Sequence, residues 1–207
     1  MTLRSIKLVA AESNWRLFTI RKADSKFQKF QERIFQRDHH TCQYCGFISK
    51  HFMEVINADM DYRNNQIDNL VTACHFCAQC FFLDGIGKSD YGGGTLIYLP
   101  EMTQTELNAL CHVLFSMMIS GGQSSNDAKT VYRNLRLRSQ PVEKELGKGL
   151  NVPSVYGQLL IDSTVNNKDR LHEELMLKLR ILPTMTRYIN QIEMWAWEAL
   201  TGMACYD

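Results

Sequence analysis

No apolar run in this chain approaches the roughly 20 residues that a helix needs to cross a bilayer, which excludes helical membrane insertion. No secretory leader is expected either, because the start from Met1 to Val9 runs into polar Glu12-Ser13-Asn14 too soon. An excess of charge is also missing: 23 Lys and Arg against 22 Asp and Glu leave a formal net charge of +1. Proteins that bind nucleic acid mainly through phosphates are usually clearly basic, so near-neutrality weighs against a nuclease or DNA-binding role and leaves room only for a local patch. The Gly-rich stretch Asp90-Tyr91-Gly92-Gly93-Gly94 lacks the Gly-Lys-Ser/Thr ending and the flanking elements of a phosphate cradle, and reads as a connector.

Cysteine is not scarce. The 207 residues hold seven, and without a leader they read as reduced, metal-binding thiols in a cytosolic setting. Four fall in two matched pairs, Cys42-Gln43-Tyr44-Cys45-Gly46 and Cys74-His75-Phe76-Cys77. Each Cys-x-x-Cys turn can offer two thiolates at about 2.3 Å from one ion, and two such turns close a tetrahedron. The gap between the pairs exceeds the about 15–20 residues of a compact zinc ribbon and leaves room for a hairpin. A thioredoxin-type redox motif would show one pair in a βαβ frame, which two matched pairs do not suggest. One structural zinc on Cys42, Cys45, Cys74 and Cys77 is therefore expected.

Length allows one domain with additions or two small ones. Residues 3–9 and 15–20, parted by Glu12-Ser13-Asn14, predict an N-terminal hairpin. Asp24 or Ser25 caps a helix to about Asp38, with Phe27, Phe30, Ile34 and Phe35 buried and Lys26, Lys29 and Arg33 solvated. Phe47–Lys50 and Met53–Ala58 read as short strands, and a helix carrying Phe76, Phe81, Phe82 and Leu83 is expected from Cys74. Thr95–Leu99 reads as a strand. Thr103 and Glu106 form a capping box before an apolar helix to about Ile119, whose Leu107, Leu110, Cys111, Leu114, Met117 and Met118 read as core. A helix from Ser124 or Ser125 ends before Pro141. Its Lys129, Arg133, Arg136 and Arg138 fit either a solvated face or contact with an acidic partner. Pro141–Pro153 reads as a connector, followed by a short helix, a turn at Asn166-Asn167, and a helix from Asp169 to Ile181. The last helix, from about Thr184 to Leu200, places Met185, Tyr188, Ile189, Ile192 and Trp195 on one face. Met194 and Trp197 fall outside it as candidate anchors for a partner.

The order of knuckle, hairpin, loop, Asn-Leu pair, knuckle and helix resembles the HNH endonuclease family. The matching residues are Cys42, Cys45, Gly46, Val55, Asn69, Leu70, Cys74 and Cys77, within about residues 30 to 80. The family's strand Asp-His, whose His activates water, is replaced by Ile56-Asn57, and Ala78 stands where a final His or Asn is expected. Isoleucine cannot ligate a metal, and an amide cannot accept a proton near neutral pH. A migrated base among His51, His75, Asp59 and Asp61 is the alternative. Their plainer reading, with His39 and His40, is as surface, knuckle-lining or turn residues. The resemblance therefore implies a zinc scaffold without its reaction centre.

The whole chain, from its Met-Thr-Leu start to the Asp127–Arg133 stretch, is similar to the IcmJ/DotN family of the Dot/Icm type IVB secretion system. That resemblance implies a non-catalytic, zinc-binding adaptor for effector export. It would be cytoplasmic and held at the inner membrane by its partners. Those would be the coupling ATPase DotL, through a C-terminal segment, with DotM and IcmS–IcmW in the same complex. The expected fold is α+β: a zinc-stapled, HNH-like ββα unit in a largely helical body with a short N-terminal hairpin. Residues 1–100 would carry the hairpin and zinc unit, with 101–207 as helices packed on them. The rival readings are a divergent metal-dependent nuclease and a nucleic-acid-binding module.

Overall fold

Two small antiparallel sheets, each a single strand pair, are set among helices in the computed structural model, which describes residues 3–11, 13–163 and 177–201. The helices are α1 (Asn14–Ala23), α2 (Ser25–Arg37), α3 (His75–Ala78), α4 (Gln104–Ser120), α5 (Gly122–Leu137), α6 (Ser139–Leu146), α7 (Pro153–Ser163) and α8 (Ile189–Thr201). The strands are β1 (Met53–Asn57), β2 (Leu70–Cys74), β3 (Gly94–Tyr98) and β4 (Leu179–Pro183). β1 pairs β2 from Met53 opposite Cys74 to Asn57 opposite Leu70, and β3 pairs β4 from Gly94 opposite Pro183 to Tyr98 opposite Leu179.

Several expectations hold because their signals are local. Asp24 caps α2 by accepting from the Lys26 backbone N–H at 2.8 Å, and Ile34 and Phe35 are buried as the stripe requires. Thr103 and Glu106 form the reciprocal capping box at the start of α4, where Leu107, Cys111 and Leu114 are buried. On α8, Tyr188, which precedes its first turn, Ile192 and Trp195 face the core, while Met194 and Trp197 are 37% and 49% exposed.

Other expectations are corrected. The N-terminal hairpin is absent. Residues 3–10 form no regular element, and 14–23 are helical because Trp15, Phe18 and Arg21 follow helical spacing and all turn inward. Phe47–Lys50 is not a strand but carries one bridge, Ile48 to Thr41; the partner of β1 is Leu70–Cys74. The helix expected from Cys74 stops at Ala78, and its aromatic continuation breaks into two 3-10 turns, Gln79–Phe81 and Leu83–Gly85, as Phe82 leaves helical geometry. Pro141 begins no connector. It sits in the first turn of α6, where a missing N–H costs little. Leu179–Pro183 is strand rather than the end of a helix, because tertiary pairing with β3 overrides local propensity; Asn166-Asn167 and 169–176 lie outside the described residues. The 3-10 turn Met185–Arg187 precedes α8, which begins later than expected.

The main core draws on both halves of the sequence. Phe18, Tyr44, Phe76, Phe81 and Phe82 pack in one cluster with Leu107, Phe115, Ile192 and Trp195. A second cluster gathers Leu83, Leu96, Tyr156 and Ile181. Helix α7 comes close enough there that a Cβ on Gly157 would lie 2.6 Å from the Asp84 backbone nitrogen, so this crossing requires glycine.

Candidate metal centre

The first cysteine pair sits on a tight turn after α2. Gly46 donates its N–H to the Cys42 carbonyl at 3.0 Å with φ at +77°, a conformation that glycine adopts freely. The Cys45 N–H points at Cys42 Sγ at 3.5 Å, and the Gln43 N–H bonds the Thr72 carbonyl at 2.9 Å, which pins this turn to β2. Cys74 ends β2, and Cys77 lies in α3.

All four side chains are buried, and their sulfurs lie within 4.8 Å of one another. Cys45 Sγ and Cys74 Sγ are 3.6 Å apart, far beyond a disulfide bond of about 2.05 Å. A tetrahedron with metal–sulfur bonds of about 2.3 Å has edges of about 3.8 Å, so the donor set fits such an ion. Burial pushes the Cys74 and Cys77 thiols well up. It also raises the Cys42 thiol, but hydrogen bonds from Cys45, Cys74 and Cys77 more than reverse that and leave it well below its usual range. A divalent ion between the sulfurs would supply the positive charge that a cluster of thiolates needs.

Helix α4 closes the site from behind. Asn108 Nδ2 donates to Cys77 Sγ at 3.3 Å and to the Phe76 carbonyl at 3.2 Å. His112 Nε2 lies 3.3 Å from Cys74 Sγ. Burial pulls the His112 imidazole down to about 3, so the ring is neutral, and its single N–H can serve that sulfur. The ring is sandwiched between Phe47 and Phe76, at 3.7 and 4.3 Å between centroids. Asn108 is itself set by Gln104, which donates to its Oδ1 at 2.8 Å and to the Ile181 carbonyl at 2.9 Å. Such outer partners orient ligands and tune affinity. Sequence reasoning missed all three, although Gln104, Asn108 and His112 form a row of polar residues four apart in a largely apolar helix. Cys80 and Cys111 are buried outside the cluster; Cys80 bonds the Phe76 carbonyl, and burial pushes its thiol up to about 12. Cys205 lies outside the described residues.

At the far end of the β1–β2 hairpin, Asn57 occupies the place where the HNH resemblance expects histidine. It is fully buried. Its Nδ2 donates to the Asp61 and Asn64 carbonyls at 2.9 and 2.7 Å, and its Oδ1 accepts from the Arg21 guanidinium. Arg21 also bonds Asn65 Oδ1 at 3.0 Å and the Val55 carbonyl at 2.7 Å, under the face of Phe27. Burial brings its pKa down to about 10, which still leaves it a cation at neutral pH.

The other candidate bases have structural partners. Asp59 accepts from Asn64 and Asn69 side chains at 2.7 and 2.8 Å, and Asp61 caps the Arg63 N–H at 2.9 Å; both hold the loop. His75 pairs with buried Glu54 at 2.8 Å, and Lys22 bonds the same carboxylate. His51 lies 3.5 Å from Glu198, which takes the Ser49 hydroxyl at 2.7 Å. Among the described residues, the four cysteines are the one group of three or more His, Cys, Asp or Glu side chains close enough to share an ion.

No family model matches the chain. It is 48% identical over 199 residues to the type 4 apparatus protein DotN of Legionella pneumophila subsp. pneumophila, covering 96% of this chain and 92% of that protein. The chain belongs to the DotN family. This DotN-family chain thus carries four converging cysteines, an α4 backing of Asn108 and His112, and a second buried polar centre built on Arg21 and Asn57. No described helix of it is long and apolar enough to cross a membrane.

Proposed function

We propose that this protein is a zinc-bound, non-catalytic adaptor of a type IV secretion coupling complex. The convergence of Cys42, Cys45, Cys74 and Cys77 on a volume sized for one tetrahedral ion carries the zinc part of the reading. An all-thiolate, closed donor set is that of a structural site, since catalytic zinc keeps a position open for water. We read β1, β2 and α3 as an HNH-like unit, and residues 1–100 and 101–207 as two parts of one body. The seating of Arg21 against Asn57 supports the non-catalytic reading, because a cation from the chain stands where the resemblance would put a metal and its base. The likeness to DotN, a type 4 apparatus protein by name, supports a place in the secretion machinery. In this reading the chain docks a C-terminal segment of the coupling ATPase DotL, with DotM and IcmS–IcmW in the same complex, on the cytoplasmic side of the inner membrane. Exposed Met194 and Trp197, on adjacent turns of α8, are the docking residues we assign.

The deciding experiment is a native pull-down of the tagged protein with zinc counted on the same sample. One zinc per chain together with DotL, and loss of DotL in Trp197→Ala with zinc retained, is the expected result. One zinc per chain with nucleic acid and no protein partner would replace the adaptor reading with that of a nucleic-acid-binding module.

A further inference from the structure

A groove of about 720 Å³ runs along residues 3–10, on a different part of the surface from α8. Its other walls come from the start of α4, the end of α7 and the residues around β4. The floor is apolar, with Ile6, Leu8, Val9, Leu160 and Leu179. Among the described lining residues the charged ones are Arg4, Lys7 and Arg180, all cations.

The wall formed by residues 3–10 has an unusual backbone. It runs without bend, turn or positive φ. Its ends are tied down: the Arg4 N–H bonds the Gln43 carbonyl at 2.9 Å, the Val9 N–H bonds the Cys80 carbonyl at 2.9 Å, and the Val9 carbonyl takes the Leu83 N–H at 3.0 Å. Between these ties, residues 5–8 make no backbone hydrogen bond among the described residues. Opposite them, Arg180 is fixed by bonds to the Met102 and Leu177 carbonyls, the latter at 2.8 Å.

We propose that this groove takes an extended, acidic segment of a partner protein, added as a strand along residues 5–8. Three features select that occupant. The cleft follows a straight stretch of chain, which at about 3.3 Å per residue is on the order of 20 Å long, so it suits an extended peptide better than a compact ligand. Unpaired backbone groups between two anchored ends are what strand addition uses, and alternate side chains then drop into the apolar floor. Cations on both walls call for carboxylates on the incoming segment. The proposal deepens the adaptor reading and rests on it for the occupant being a protein chain, but it concerns a surface separate from Met194 and Trp197.

The test uses the full, metal-loaded chain and the synthetic peptide acetyl-(Val-Glu)4-amide, with acetyl-(Val-Lys)4-amide as the charge-reversed control. Hydrogen exchange at the Ser5–Leu8 amides is expected to slow by about tenfold or more with the acidic peptide and to stay unchanged with the basic one. Binding followed by anisotropy should weaken about tenfold in Arg4→Glu/Lys7→Glu, and should lose most of its salt dependence there. Ser5→Pro removes one amide and no charge, and should weaken binding as much. Both variants alter exposed side chains, and an unchanged zinc count and melting curve certify that they fold with the knuckle beside Arg4 intact. Unchanged exchange at residues 5–8 overturns the proposal, whether or not the peptide binds elsewhere. So does slow exchange there in the free chain, which assigns the edge to this protein itself, or, if it rises with concentration, to a second copy. Binding to phosphatidylglycerol vesicles in place of the peptide overturns it in favour of a lipid surface. DotL capture and zinc content are read separately, so failure of the groove and failure of the adaptor reading leave different signatures.

Discussion

One hairpin carries a buried polar centre at each end, and the two solve the same electrostatic problem in opposite ways. At the Cys74 end of β2, four sulfurs crowd together with no cationic side chain bonded to them among the described residues, and in the zinc-bound reading the balancing charge comes from outside as an ion. At the Asn57 end of β1, the cation is built into the chain: Arg21 reaches from α1 into a ring of amide and carbonyl oxygens. In the zinc-bound reading, the first centre makes folding depend on metal supply. The second makes the other end of the hairpin independent of it. Burying an unpaired charge or an unsatisfied polar group is costly in either case, and the difference lies in who supplies the partner.

The comparison can be broken most forcefully at the metal. Cys74→Ser is expected to abolish stoichiometric zinc and to remove coupling energy on the order of 10 kcal/mol from the local unit, checked by elemental analysis and thermal melting. A folded, zinc-loaded Cys74→Ser protein would end the assignment. Next is Arg21→Ala, which strands the Asn57 and Val55 oxygens. It should cost about 3 kcal/mol in urea unfolding while zinc stays at one per chain; joint loss of zinc would show that the two ends are not independent. Asn57→Ala should cost about 2 kcal/mol and leave effector export unchanged once protein levels are matched. A selective loss of export in a stably folded variant would point to hidden chemistry at this position. Asn108→Leu sharpens the metal side, with affinity falling about 10- to 100-fold in chelator competition and the fold intact. Smallest of all, Cys80→Ser and Cys111→Ala should leave the zinc count untouched, because neither sulfur belongs to the cluster.

What could be read from the sequence was what the chain encodes over short distances. Each cysteine pair is three residues apart, a cap announces α2 and a capping box announces α4, and these were legible in order. The failures share a cause as well. Leu179–Pro183 looks helical until β3 offers it a partner more than 80 residues earlier in the chain. Arg21 carries no local signal of its burial, because Asn57 and Val55, which surround it, lie 36 and 34 residues away. His112 and Asn108 gain their roles only where α4 is laid across the cysteines. In each case the deciding contact is remote in sequence, and local pattern has no access to it. The role assigned to Met194 and Trp197 is of a different kind: the helical wheel placed them off the buried face, and they are exposed, but a docking role needs a partner to establish it.

The contacts of α8 with the loop after the first knuckle bear on how the chain folds in time. Glu198 takes the Ser49 hydroxyl and Trp195 donates its indole N–H to the His51 carbonyl, across 149 and 144 residues of sequence. Closing a loop of that length costs about 4 kcal/mol in chain entropy before any contact returns it. The two knuckles and their hairpin lie close together in sequence and emerge early from the ribosome, so they can come together while the rest is still being made. The bonds of Ser49 and His51 to α8 can form only once the last helix has been made.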